Sequence, residues 1–224
     1  MKIKGENQEK SLHFKFLLLG EDSIGKSSII ERYINNSFKD SYLATIGMDI
    51  RNKRLEINNY DIDIIIYDTA GQERFRSLTK MFYKGSDGIL LGFDLTNKKT
   101  FDQLGYWINQ IEANKSRDFP LSIVLFGNKC DRKEDIEIKE DDIQSMKKKY
   151  NIDYFSTSAK DGINVQNAFE YLVKKTIKDR GLLKTIGLSP DISFDDIIIT
   201  VKELQRVEKK LVSKKRKKKK KLSC

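Results

Sequence analysis

Gly20 and Gly25 precede an adjacent Lys26 and Ser27, in the stretch GEDSIGKS. The spacing Gly-x4-Gly-Lys-Ser suits one chemistry, the holding of a polyphosphate. Backbone N–H groups of such a loop close in on phosphate oxygens, the lysine reaches the outer phosphates, and the serine hydroxyl ligates Mg2+. Residues 20–28 are the candidate phosphate set: Gly20, Glu21, Asp22, Ser23, Ile24, Gly25, Lys26, Ser27 and Ser28. Two of them are acids. Main-chain amides do the gripping, so the Glu21 side chain is expected to point away into solvent. Asp22 is harder to accommodate beside a polyanion.

Three further stretches carry related chemistry. In DTAGQE (68–73), Asp68 can hold the metal through water, Gly71 can offer its N–H to a terminal phosphate, and Gln72 can orient an attacking water. In NKCD (128–131), the Asp131 carboxylate can accept two N–H bonds from the edge of guanine, which adenine cannot supply, while Asn128 and Lys129 frame the base. In SAK (158–160), made of Ser158, Ala159 and Lys160, the Ala159 amide can meet the guanine carbonyl. Each short motif is weak alone. Together and in order they describe a site for GTP or GDP with Mg2+.

The elements that must position these residues are legible as short apolar runs. FKFLLLG (14–20), IDIIIYD (62–68), GILLGFD (88–94) and LSIVLFGN (121–128) barely alternate, as strands buried on both faces do. A fifth strand is expected at 152–158. The alternating MDIRNKRLEI (48–57) reads as an outer strand that turns back at NNYD into 62–68. Helices are expected at 26–36, 98–114, 139–150 and 164–179. The sum is a three-layer α/β fold with a six-stranded, mostly parallel sheet, one antiparallel edge strand and helices on both faces. In an open sheet of this kind, ligands bind beyond the carboxyl ends of the strands, where all four motifs fall.

The chain has 224 residues and a formal net charge of +10. Ten of its 43 lysines and arginines lie between Lys209 and Lys221, leaving 33 to balance 33 acids elsewhere. The body is therefore neutral, which opposes a nucleic-acid-binding face, and the excess forms a cationic end suited to an anionic surface. No apolar run approaches the length of a membrane span, and the first residues have no signal-peptide core. Two cysteines, Cys130 and Cys224, provide no disulfide framework. The stretch 191–211 holds apolar residues that either form a helix against the body or remain a linker.

From about Phe14 to Arg180 the sequence resembles the Ras-like small GTPases, and within them the Rab family. YLATIGMDI (42–50) and DTAGQERFRSLTKMFYKGSDGILLGFDLTN (68–97) carry the resemblance, with the cysteine-terminated tail. It implies a P-loop NTPase fold with an extension at 1–12, a GTPase domain at 13–180 and a hypervariable tail at 181–224. It implies that Phe38 packs on the guanine and that Thr45, with Ser27 and Asp68, completes the magnesium shell. Lys26, Thr45 and Gln72 would serve hydrolysis. Tyr42, Leu43, Ala44, Thr45, Ile46, Gly47, Met48, Asp49 and Ile50 would meet effector proteins. The resemblance further implies a monomeric switch in vesicle trafficking, served by a GAP, an exchange factor and GDI or escort proteins. Hydrolysis would be slow without the GAP. The basic run and Cys224 resemble a prenylated anchor on the cytoplasmic face of a membrane, with a cytosolic pool. Nothing follows the cysteine, so the end is not a C-a-a-X signal. Three positions depart from the Rab pattern: Tyr67 replaces a tryptophan, one terminal cysteine stands where two are usual, and Asp22 replaces a small residue. An acid at 22 would crowd Gln72 and an incoming arginine. The expectations are therefore slow, poorly stimulated hydrolysis or, alternatively, a constitutively loaded scaffold.

Overall fold

The computed structural model describes residues 10–39, 48–69, 83–116 and 119–201. Strand β1 (Ser11–Leu19) leads into helix α1 (Lys26–Asn35), and the hairpin of β2 (Met48–Ile57) and β3 (Tyr60–Thr69) follows. Then come β4 (Gly88–Asp94), α2 (Lys98–Asp102), α3 (Leu104–Asn114), β5 (Ser122–Asn128), α4 (Glu140–Tyr150), β6 (Asp153–Ser156), α5 (Val165–Asp179) and β7 (Thr200–Val201). The described strands form one sheet in the order β6-β5-β4-β1-β3-β2-β7. Pairs from β6 through β3 are parallel, and β2 runs antiparallel to β3.

The expected six strands form, and their apolar runs explain why. Every residue of β4 is buried, since helices cover both faces of the central strands. Alternate residues of β1 divide between two cores. Phe14, Phe16 and Leu18 join Ile29, Ile30 and Tyr33 of α1 and Phe169, Leu172 and Val173 of α5. Leu17 and Leu19 join Leu104, Ile108 and Ile111 of α3 and Ile143 of α4. The β2–β3 turn is made by Asn58 and Asn59, both at positive φ (48° and 63°), the pairing a tight two-residue hairpin requires. Helix α4 has Glu140, Asp141 and Asp142 in its first turn and Lys147 to Lys149 in its last, matching the helix dipole at both ends.

The stretch expected as one helix at 98–114 is two, α2 and α3, meeting at Gln103. The larger difference lies past α5. Residues 182–199 are turns packed on the body; of the stretch 191–211, expected as a helix or a linker, the described part 191–201 is turns ending in a short strand, and 202–211 lie outside the described residues. Leu183, Ile186 and Ile197 are buried in the same core as α1 and α5. Phe194 stacks on Tyr171 with ring centroids 5.0 Å apart, Lys174 Nζ donates to its carbonyl at 3.0 Å, and Asn58 Nδ2 donates to the Ile186 carbonyl at 2.6 Å. The strap ends in β7, a seventh strand that pairs antiparallel with β2 through Leu55–Val201 and Glu56–Thr200. No described helix is long and apolar enough to cross a membrane.

Candidate functional site

The carboxyl ends of β1, β3, β4, β5 and β6 lie at one edge of the sheet, and the described loops after β1, β4, β5 and β6 gather there with Asp68. The loop after β1 needs glycine twice. Gly20 lies at φ 134°, and a Cβ there would run into the carbonyl of Gly92 on β4. Gly25 lies at φ 95°, and its Cβ would strike the Asn128 amide. Both positions therefore exclude ordinary side chains by conformation and by space. Between them Ile24 is fully buried in the α1/α5 core, so the loop is pinned from below by an apolar anchor. Lys26 is 5 % exposed, and its Nζ donates to the carbonyls of Gly20 (2.9 Å) and Glu21 (2.7 Å), arching over the loop it closes. Ser27 is exposed, Ser28 is half-buried, and Asp22 and Ser23 are exposed at the loop's rim, Ser23 at φ 61°.

Glu21 does point away from the loop interior, but not into solvent as expected. Its Oε1 accepts a hydrogen bond from the Trp107 indole N–H of α3 at 2.9 Å. The acid is fastened by a donor eighty-six residues downstream, which no local pattern could reveal.

Asn128 is 2 % exposed and joins two loops. Its Nδ2 donates to the Ile24 carbonyl at 2.8 Å, and its Oδ1 accepts from the Ala159 amide at 3.1 Å. Asp131 is oriented by Ser158, whose hydroxyl donates to Oδ1 at 2.6 Å and accepts from the Asp161 amide at 3.0 Å. Lys129, at φ 68°, pairs its ammonium with Asp94 at 2.6 Å, tying the end of β5 to the end of β4. Lys160 is exposed, while Phe38 is half-buried against the α1/α5 core.

Asp68, at the end of β3, is 4 % exposed. Burial holds its carboxyl above the usual carboxylate range, against the opposing effects of a Ser27 hydrogen bond and the Lys26 charge. One carboxylate oxygen, Oδ1, has no partner among the described residues. A buried oxygen acceptor beside a serine hydroxyl at a helix start is a donor set suited to a hard, oxygen-loving cation, and these residues fit Mg2+.

Arg32 is a site residue that sequence reasoning missed. Its guanidinium donates to the Ala159 carbonyl at 2.8 Å through Nε and to the Lys160 carbonyl through Nη2, clamping the loop after β6 onto α1. Its only sequence signal is a basic residue in the last turn of α1, which usually means a helix-end interaction. Tyr42 to Gly47, with Thr45 among them, and Gly71, Gln72 and Cys224 lie outside the described residues. Met48 enters β2 by its backbone, Asp49 pairs with Arg51 at 2.9 Å, and Ile50 is exposed.

Residues 15–178 match the Ras family. The chain is similar to Ras-related protein Rab-8A of Rattus norvegicus, with 37 % identity over 86 % of this chain and 92 % of that protein. It is also similar to Rab-13 of the same species (36 %; 78 % and 82 %) and to Rab-8 of Diplobatis ommata (37 %; 72 % and 76 %). The family match over residues 15–178 and this breadth of similarity agree: the chain belongs to the Ras family of small GTPases, in its Rab branch, whose activity is the hydrolysis of GTP.

Proposed function

We propose that the chain is a Rab-type switch that binds GTP or GDP at the Gly20–Ser28 loop and reads the base with Asp131. The observation that carries this is the pair of hydrogen bonds of the Asn128 side chain, which donates to the Ile24 carbonyl and accepts from the Ala159 amide. One side chain fixes the spacing between the phosphate grip and the base grip, so the site is cut for a nucleotide of set length. Main-chain amides of residues 21–27 face the phosphates, and Lys26 is available to the outer ones once it exchanges its loop carbonyls for phosphate oxygens. The Asp131 carboxylate, held by Ser158, would accept the guanine N–H groups, and the Ala159 amide, which already donates to Asn128, would share its N–H with the guanine carbonyl. Arg32 keeps that amide in place.

Ser27, Thr45 and Asp68 would hold Mg2+, which when bound neutralises charge on the β- and γ-phosphates. Gly71 would donate to the γ-phosphate and Gln72 would orient the water for in-line attack. Residues 42–50 would present the GTP form to effectors in membrane trafficking, with a GAP, an exchange factor and a GDI or escort protein controlling the cycle. The basic run and Cys224 would hold the protein to the cytoplasmic face of an anionic membrane, one lipid chain and a basic patch together being sufficient. Asp22 stands exposed at the rim of the loop, where a catalytic arginine from a GAP would enter. It makes hydrolysis slow and weakly stimulated.

Calorimetry with GDP and ADP tests the binding site: GDP is expected to bind at least a hundredfold tighter, about 2.7 kcal/mol, and equal affinities would refute it. Single-turnover hydrolysis separates the roles. Asp22→Ser should speed GAP-stimulated turnover and Gln72→Leu should abolish it; an Asp22→Ser rate equal to wild type removes the role given to the acid.

A further inference from the structure

Gly20, at φ 134°, opens the phosphate loop with a backbone that no side chain restrains, and Ile24 anchors the far side in the core. Between them lies the peptide unit that joins Glu21 to Asp22. Its carbonyl accepts from Lys26 Nζ at 2.7 Å, beside the Gly20 carbonyl at 2.9 Å. A planar trans peptide points its C=O and its N–H in opposite directions. Rotation of this unit would therefore take the carbonyl off the lysine and turn the Asp22 N–H in the same motion. Whatever holds the unit sets where the lysine ammonium sits.

One hold comes from outside the loop. Trp107 Nε1 donates to Glu21 Oε1 at 2.9 Å, and a carboxylate acceptor makes such a bond charge-assisted. The donor is fixed by its helix. Leu104, Ile108 and Ile111 bury one face of α3 in the core beside β4. Trp107, one turn on from Leu104, is half-buried against that core. The Tyr106 ring meets it edge to face, with ring centroids 5.7 Å apart. The indole is thus a fixed donor, and the Glu21 side chain ties the loop to it.

The same bond accounts for an acid at position 21 of a loop suited to a polyanion. Extended toward α3, the Glu21 carboxylate is met by an N–H and not by phosphate. A side chain that would repel a phosphate from inside the loop secures the loop from outside.

We propose that Trp107 is a positioning residue for the phosphate grip, given the reading of residues 20–28 as the phosphate site. Through the Glu21 carboxylate it holds the 21–22 peptide unit, and with it the Lys26 ammonium, in the orientation that the ligand requires. Trp107 touches no phosphate itself; its effect reaches the ligand only through Glu21.

The chain contains one tryptophan, so the indole N–H signal of the isotope-labelled full chain is assigned without ambiguity. In the GDP-loaded protein that proton should move upfield in Glu21→Ala, as a proton released from a carboxylate does. Release of a fluorescent GDP analogue gives the second readout, in wild type, Trp107→Phe, Glu21→Gln and the double variant, each shown to be folded by its thermal melt. Trp107→Phe should quicken release roughly tenfold. Glu21→Gln keeps an acceptor oxygen at the same reach without the charge, and should quicken release about twofold to threefold. Because both changes act on one bond, the double variant should release no faster than Trp107→Phe alone. An indole signal unmoved in Glu21→Ala, or a double variant in which the two effects multiply, would overturn the role of Trp107 and leave the site intact. A wild-type chain that calorimetry shows not to bind GDP would overturn the reading of the site and this role with it.

Discussion

Two stretches of irregular backbone, the loop 20–25 and the strap 182–199, are held in opposite ways. The loop is fixed by directed polar contacts: Lys26 to Gly20 and Glu21, Asn128 to Ile24, Trp107 to Glu21, and two glycines at positive φ. The strap is fixed mainly by apolar side chains, with Leu183, Ile186 and Ile197 in the core and Phe194 on Tyr171. The loop 20–25 has no backbone ladder, so buried side chains hold it instead, which suits the proposed use of its amides by a ligand. A strap laid on a formed core can be held by burial, which is non-directional and tolerates many sequences. The first demands particular residues at particular spacings; the second asks only for hydrophobicity in suitable places.

This contrast breaks down if the two stretches share one stability. Asn128→Ala should have the largest effect on the site. It orphans the buried Ile24 carbonyl and the Ala159 amide, costing about 3 kcal/mol, so GDP release measured with a fluorescent analogue should quicken roughly a hundredfold. Ile186→Ala should instead leave a cavity under the strap and destabilise the fold by about 2–4 kcal/mol. Its melting temperature should fall by roughly 5–15 °C, while GDP release changes less than about twofold because independent sites add. A large effect of Ile186→Ala on release would mean that strap and site are coupled. The smallest effect belongs to Trp107→Phe, which removes the donor to Glu21 at a cost of about 1–2 kcal/mol. Release should quicken by about tenfold, and Glu21→Gln in the same background should restore part of the loss by removing the loosened charge. No restoration would mean that the indole acts through packing alone.

Much of the site was legible before the fold was known. The loops carrying Gly20, Gly25, Lys26, Asn128, Asp131, Ser158 and Ala159 gather at one edge of the sheet, where the order of strand runs and short motifs put them. Arg32, Trp107 and Asp94 were not legible. Each acts on a loop distant in sequence, and an arginine, a tryptophan or an aspartate in an amphipathic pattern has many commoner uses. Glu21 shows the limit most clearly: its direction away from the loop followed from the amides, but its partner did not.

The strand runs, the hairpin at Asn58–Asn59 and the order of the loops were set by local pattern, since burial on both faces and a two-residue turn each leave a direct mark on residue type. The placement of 182–199 was not. Ile186 and Ile197 are ordinary apolar residues in a polar stretch, and only the assembled groove beside α5 and the β2–β3 turn gave them somewhere to be buried. Sequence alone determined which scarce side chains stand at the carboxyl edge of the sheet, because they follow the strand runs at fixed intervals. The course of the chain after α5 was decided only by tertiary structure, because hydrophobic burial depends on what surface is present and not on which residues come next.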